Sequence, residues 1–218
     1  MAIREEVIGD ATLICGCCEA AMAEMAENQF DLAIVDPPYG GNDAIGVQNG
    51  NGHSAARKDY KLFDNTEPDP HYFNELLRVS GKQIVWGANF YKKTNLSGGM
   101  ICWNKFGTAF GEAELAWYSH SKSVKVFEYA WNGMIQGNMK TKETRIHPTQ
   151  KPVNLYTWLL KNYAKEGDHI LDTHGGSMSS VIACLNMGHK ITCYEIDEDY
   201  FDAGCRRVED AQKQLRLF

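Results

Sequence analysis

Apolar residues along this chain fall into short dense runs, separated by stretches with helical spacing. "ATLICG" (11–16), "FDLAIVD" (30–36), "KQIVWG" (82–87), "DHILD" (168–172) and "KITCYEID" (190–197) are such runs. Unbroken hydrophobicity over so few residues predicts strands buried on both faces. "GGMICWNK" (98–105) and "AELAWYSH" (113–120) also read as strands, close enough in sequence to pair. Helices are predicted over "CCEAAMAEMAE" (17–27), "DPHYFNELLRVS" (69–80), "PVNLYTWLLKNYA" (152–164), "SSVIACLNMG" (179–188) and "EDYFDAGCRRVEDAQKQL" (198–215). Pro152 suits a first helical turn, and Gly81 and Gly188 suit helix ends. Strands alternating with helices imply an α/β fold, a mostly parallel sheet with helices on both faces.

From Gly40 to about Asp59 the composition shifts to Gly, Asn, Gln and Ser, which predicts a mobile loop. Loops of that length in compact domains are usually functional. Three predicted strands end on a carboxylate: Asp36, Asp172 and Glu195. Ligands of open parallel sheets bind at the carboxyl ends of strands, so the three acids are read as one site.

A length of 218 residues, 44% of them hydrophobic, suits one domain, 1–218. No apolar run reaches bilayer length and the N-terminus lacks a signal-peptide core, so a soluble, cytoplasmic protein is expected. Seven scattered cysteines complete no metal-ligand spacing and read as reduced thiols. His147, His169 and His174 lack clustered acids or cysteines, so no metal is expected. The net charge is −6, yet from Lys122 to Lys151 five Lys and one Arg face two Glu, a local balance of +4. From Glu166 to Asp210 ten acids face three bases, a balance of −7. One basic stretch in an acidic protein permits a polyanion on one face.

"LDTHGGSMSS" (171–180) is a strand, a Gly-containing turn and a helix start, and the next strand ends on Glu195. Glycines allow close approach to backbone N–H groups, and an acid at that distance suits ribose hydroxyls, which predicts a nucleoside cofactor. No dinucleotide glycine pattern and no nucleoside-triphosphate loop is present.

These residues resemble the S-adenosylmethionine-dependent amino-methyltransferases of DNA. "DPPY" (36–39) is similar to their catalytic motif, "LDTHGGSMSS" to their cofactor loop, and "HPTQKP" (147–152) to the segment before that loop. The order, catalytic motif first, resembles the permuted beta subgroup, and the resemblance covers nearly the whole chain. It implies a Rossmann-like methyltransferase fold with S-adenosyl-L-methionine as cofactor and double-stranded DNA as substrate. It assigns catalysis to Asp36, Pro37, Pro38 and Tyr39, and cofactor contacts to Cys17, Asp36, Thr149, Lys151, Asp172, His174, Gly176, Ser177 and Glu195. Asp36 and the Pro37 carbonyl would accept hydrogen bonds from a base amine, and Tyr39 would stack on a base outside the duplex. Thr173 and His174 replace the family's Pro-Phe, and Met178 replaces a glycine, where it is expected to narrow the pocket.

Asp before Pro-Pro-Tyr favours adenine-N6 as target. A cytosine-N4 enzyme of the same fold, or a non-catalytic DNA- or clamp-binding module, are the alternatives. Methyltransferases of RNA or of a protein glutamine carry a similar motif with the cofactor loop first. Residues 108–145 are expected to recognise the target. Trp103, Trp117 and Trp131 are expected in the core rather than stacking on bases. "QLRLF" (214–218) resembles the pentapeptide by which bacterial proteins bind the replication sliding clamp, through Gln214, Leu215, Leu217 and Phe218.

Overall fold

The computed structural model describes residues 2–40, 65–94, 96–108, 111–131 and 135–215. The loop expected from Gly40 to about Asp59 lies, from residue 41 onward, outside them. The elements in chain order are β1 (Ala2–Ile8), β2 (Ala11–Gly16), α1 (Cys18–Met22), β3 (Leu32–Val35), α2 (Pro70–Val79) and β4 (Gln83–Trp86). Then follow β5 (Gly99–Thr108), β6 (Gly111–Tyr118), β7 (Val124–Glu128), α3 (Val153–Tyr163), β8 (His169–Asp172), α4 (Ser179–Asn186), β9 (Lys190–Glu195) and α5 (Glu198–Leu215).

The strands join in one sheet, ordered β1-β2-β9-β8-β3-β4-β6-β5-β7. The five strands β2, β9, β8, β3 and β4 are all parallel. Their carboxyl ends therefore open on one edge, which carries in spatial order Cys17, Glu195, Asp172, Asp36 and Gly87. The three strand-end acids, far apart in sequence, thus come from three adjacent strands. β6 runs antiparallel to both β4 and β5, so β5 points the same way as β4 and its far end joins that edge.

Both sheet faces are covered. α1 and α2 bury Met22, Tyr72, Phe73 and Leu76 against Ala33, Val35 and Val85. α3, α4 and α5 bury Leu155, Leu159, Val181, Phe201 and Val208 against Leu13, Ile34, Ile84 and Ile191. β3 and β4 are buried at every position, which matches their unbroken apolar runs. Asp69 caps α2 by accepting from the His71 N–H at 2.8 Å, and Pro70 fills its first turn.

Three features depart from the pattern-based expectation. α1 stops after Met22 rather than continuing to Glu27, because Arg78 on α2 donates to the Met22 and Met25 carbonyls at 2.6 and 2.7 Å. That side chain satisfies carbonyls at the helix end that would otherwise need a cap. β1 and β7 are the edge strands of the sheet, and their mixed polar sequences, "AIREEVI" and "VKVFE", hide them from a hydrophobicity pattern. Residues 108–145 supply β6 and β7 to the main sheet. Trp103, Trp117 and Trp131 are buried, as the core expectation had them.

Candidate active site

β3 delivers Asp36 to the open edge, and Pro37 and Pro38 end the ladder there because neither can donate to it. Asp36 Oδ2 lies 2.8 Å from the Lys151 ammonium, and its Oδ1 accepts the Tyr39 hydroxyl at 2.6 Å. Lys151 also donates to the Tyr39 oxygen at 3.1 Å and meets Glu114 Oε2 at 2.8 Å. The ammonium nitrogen thus sits among three oxygens, paired with two carboxylates and donating to the phenol. Lys105 joins Glu114 on its other oxygen. The result is an alternating chain, Lys105–Glu114–Lys151–Asp36, running from the β5–β6 hairpin to the end of β3.

Burial favours neutral side chains here, and the pairing overrides it. For Glu114, burial raises the carboxyl, but Lys151 and Lys105 bring it down to about 2. For Lys151, burial lowers the ammonium, but Asp36 and Glu114 raise it above the ordinary lysine value. Both are therefore charged throughout the physiological range. Burial, and next the Asp36 charge, push the Tyr39 phenol up, so its O–H stays a donor.

Tyr39 lies flat on Phe90, with ring centroids 4.9 Å apart and planes 11° apart. Its ring also lies over Gly87 at the end of β4, where an added Cβ would sit 2.2 Å from Cε1. Gly87 has φ +75°, so both the space and the backbone demand glycine. The Tyr91 hydroxyl donates to the Pro37 carbonyl at 2.7 Å, which leaves that oxygen a second lone pair. Pro38, half-buried, continues the turn between them.

One strand away, Asp172 ends β8. Its Oδ1 accepts the His174 N–H at 3.0 Å and its Oδ2 the Ser180 hydroxyl at 2.5 Å. Burial raises this carboxyl to about 7 against those donors. Glu195, ending β9, accepts from the Gly176 N–H at 2.7 Å and the Asp197 N–H at 2.9 Å. Each oxygen keeps a lone pair for a ligand hydroxyl. Cys17 is exposed at the end of β2, beside β9. His174 shares a hydrogen bond with Thr173 Oγ1 at 2.9 Å, and Thr173 in turn meets the Tyr72 hydroxyl at 2.6 Å. The residues that replace Pro-Phe thus form their own polar link to α2.

The "HPTQKP" segment bridges the two halves. The His147 ring stands over Gly176, and His147 Nδ1 meets Thr149 Oγ1 at 3.1 Å. Thr149 is exposed beside the loop, while Lys151, expected with the cofactor, reaches the Asp36 carboxylate instead. Arg207 on α5 holds the loop by donating to the Ser177 carbonyl at 2.6 Å and the Ser179 hydroxyl at 3.0 Å. Its other nitrogen pairs with Glu143 at 2.6 Å, and Glu143 accepts the Val153 N–H at the start of α3. The Ser177 hydroxyl itself turns inward to Ser179.

Met178, expected to narrow the pocket, does not point into it. Its side chain is 0% exposed and packs on Gly204 of α5, where an added Cβ would meet its sulfur at 2.8 Å. Sequence reasoning missed Glu114, Lys105, Gly87, Tyr91 and Arg207. The one available signal was an acid in the middle of the apolar strand run "AELAW". Among the described residues, no group of three His, Cys, Asp or Glu is placed to hold a metal ion, and no helix is long and apolar enough to cross a membrane. Arg216, Leu217 and Phe218, three of the five residues of the expected clamp-binding pentapeptide, lie outside the described residues.

A family model described as DNA methylase, for N6 and N4 methylation, matches residues 91–205. That span holds Glu114, Lys151, the Gly-containing loop and Glu195 but not Asp36. The putative methylase YubD of Escherichia coli strain K12 is 25% identical over 218 aligned residues, covering 92% of this chain and 91% of the relative. Among solved structures, the PvuII DNA methyltransferase, titled cytosine-N4-specific, superposes with a TM-score of 0.61 at 10% identity, covering 98% of this chain and 96% of that one. M1.HpyAVI, solved as a complex with SAM, gives 0.54 at 16% identity, covering 90% of this chain and 99% of that one. At such identities these two structures show the shared fold.

Proposed function

The chain belongs to the N6/N4 family of DNA methylases, and we propose that it methylates the exocyclic amine of adenine, turned out of double-stranded DNA, using S-adenosylmethionine. The observation that carries this reading is the placement of Asp36 and the Pro37 carbonyl one strand away from the Asp172–Glu195 loop. The donor set there suits the cofactor: carboxylates with free lone pairs for ribose hydroxyls, at a turn whose Gly176 has φ +51°. Asp172, His174, Gly176, Ser177 and Glu195 would hold the nucleoside, with Cys17 and Thr149 at its margins. When bound, S-adenosylmethionine supplies an electrophilic methyl group on a sulfonium.

This chain's residues do the rest by positioning. An exocyclic base amine is a poor nucleophile because its lone pair is delocalised into the ring. Asp36 and the Pro37 carbonyl would accept its two N–H groups, favour a more tetrahedral nitrogen and stabilise the charge that develops on it. The buried strand beneath them fixes both acceptors, and alignment for in-line displacement supplies much of the rate. Phe90 backs one face of Tyr39, so the base would stack on the opposite face. β5 ends on the same edge, with Phe106 61% exposed beside it, and within 108–145 the exposed stretch 137–142 carries Lys140 and Lys142. Residues 108–145 are therefore the proposed DNA-recognising region.

Adenine is favoured by Asp, rather than Ser, before Pro-Pro-Tyr. Cytosine-N4 is the second reading, supported by the fold shared with PvuII. Expression in a methylation-free bacterial host, followed by sequencing that detects modified bases, tests both. N6-methyladenine is expected at one short sequence and is lost in Asp36→Ala. N4-methylcytosine alone would overturn the adenine reading, and unmodified DNA the methyltransferase reading. A contact of residues 214–218 with the replication sliding clamp is a separate proposal, supported by the pentapeptide match.

A further inference from the structure

We propose that Glu114, anchored by Lys105, is a positioning residue that holds the Lys151 ammonium at the shared vertex between Glu114, Tyr39 and Asp36. This rests on the methyltransferase reading above, in which Asp36 is the acceptor for the base amine.

The geometry points to this role in three ways. Lys151 is only 5% exposed, and its nitrogen lies 2.8 Å from an oxygen of Asp36, 2.8 Å from one of Glu114 and 3.1 Å from the Tyr39 hydroxyl. Its position is therefore set by Glu114 as much as by the carboxylate it serves. Glu114 is itself fixed from the far side by Lys105, which is also buried and lies 4.9 Å above the Trp103 ring. The cluster holds two cations and two carboxylates, so it is neutral as a whole, and it ends on Asp36 at the open edge.

Stability alone gives little reason to build such a chain. Buried ion pairs contribute no more than apolar side chains of the same volume, and often less. What the chain provides is a divided cation. With Glu114 present, the ammonium charge is shared between two carboxylates, and Asp36 keeps acceptor capacity for an amine. With Glu114 neutral, the whole charge falls on Asp36 and Tyr39, and the carboxylate becomes a weaker, displaced acceptor. A residue acting in this way changes the reacting geometry and leaves the grip on cofactor and DNA alone.

The test is Glu114→Gln in the full chain, with methyl transfer followed from labelled S-adenosylmethionine to sheared genomic DNA of mixed sequence. The expected result is a fall in kcat of at least tenfold, with the KM for DNA and the calorimetric dissociation constant for S-adenosylmethionine within twofold of the parent. Glu114→Asp should recover part of the loss. In a Lys151→Met background, Glu114→Gln should cost less than twofold more, because the two residues act through one contact. A packing role would instead shift the melting temperature and weaken cofactor binding together with kcat. Lys105→Met is the second variant, read for the same split should Glu114→Gln fail to fold. Unchanged kcat in a folded variant, or full additivity with Lys151→Met, would overturn the inference while leaving the activity in place. A parent protein that methylates no DNA would overturn the functional reading itself.

Discussion

Met178 sits at φ 56° and ψ 33°, just before the first turn of α4. For a residue with a side chain this left-handed conformation costs about 1 kcal/mol. The offset is visible in its surroundings: the side chain fills the space left by Gly204 and Gly175 rather than entering the cofactor side of the loop. Met178→Gly would relieve the backbone but leave a cavity, and a buried methionine lost from a core costs more than the strain it relieves. The expected outcome is a net loss of about 2 kcal/mol in urea unfolding with an unchanged dissociation constant for S-adenosylmethionine. A tenfold tighter cofactor in that variant would show that the side chain does narrow the pocket. At this scale the sequence was legible where a motif is contiguous: Asp36, Pro37 and Tyr39 lie together, as do Asp172 to Ser177. It was not legible where a contact joins distant strands. Glu114 reaches Lys151 across 37 positions, and nothing in either local pattern marks the pair. Lys151 shows the same limit, since its motif was recognisable while its partner, Asp36, was not.

Elements buried on both faces announced themselves, and the edges of the sheet did not. β3, β4, β8 and β9 are apolar enough to read directly, and their order placed the three strand-end acids side by side. β1 and β7 expose most of their residues at the two ends of the sheet, so solvent rather than packing sets their composition. α1 was overextended because its alanine-rich run has high helix propensity, which Arg78 overrides by taking the carbonyls at its end. The last element carries the clamp proposal. α5 runs through Gln214 and Leu215, so the pentapeptide begins inside a helix and would have to leave it to enter a groove in extended form. Deleting residues 214–218 should abolish retention on an immobilised sliding clamp and leave methylation of short duplexes at the parent rate. Equal retention with and without the tail would remove the proposal.

Across the whole molecule, buried titratable groups tie stability to pH in opposing directions. Burial holds His147 and His174 down at about 4, below the value of about 6.5 they have in an unfolded chain. The unfolded state therefore binds more protons between those values. Stability from the two histidines is full above pH 6.5 and is lost as the pH falls toward 4. Asp172 has the opposite sign. Burial raises its carboxyl to about 7, so the folded state binds the extra proton and gains stability as the pH falls from 7 toward 4. One loop thus contains two neighbouring groups, Asp172 and His174, that pull the same curve in contrary directions. His174→Asn should flatten the loss of unfolding free energy between pH 6.5 and 4 by up to about 1.4 kcal/mol per pH unit. Asp172→Asn, which removes the compensating proton, should steepen it by a similar amount. Urea titrations of the cofactor-free protein at half-unit steps from pH 4 to 7.5 measure both slopes. Because each variant is compared with its parent, titrations elsewhere in the chain cancel. Slopes that moved the same way in the two variants would mean that burial does not govern this loop's protonation, and the cofactor-side carboxylate would then be ionised well below neutrality.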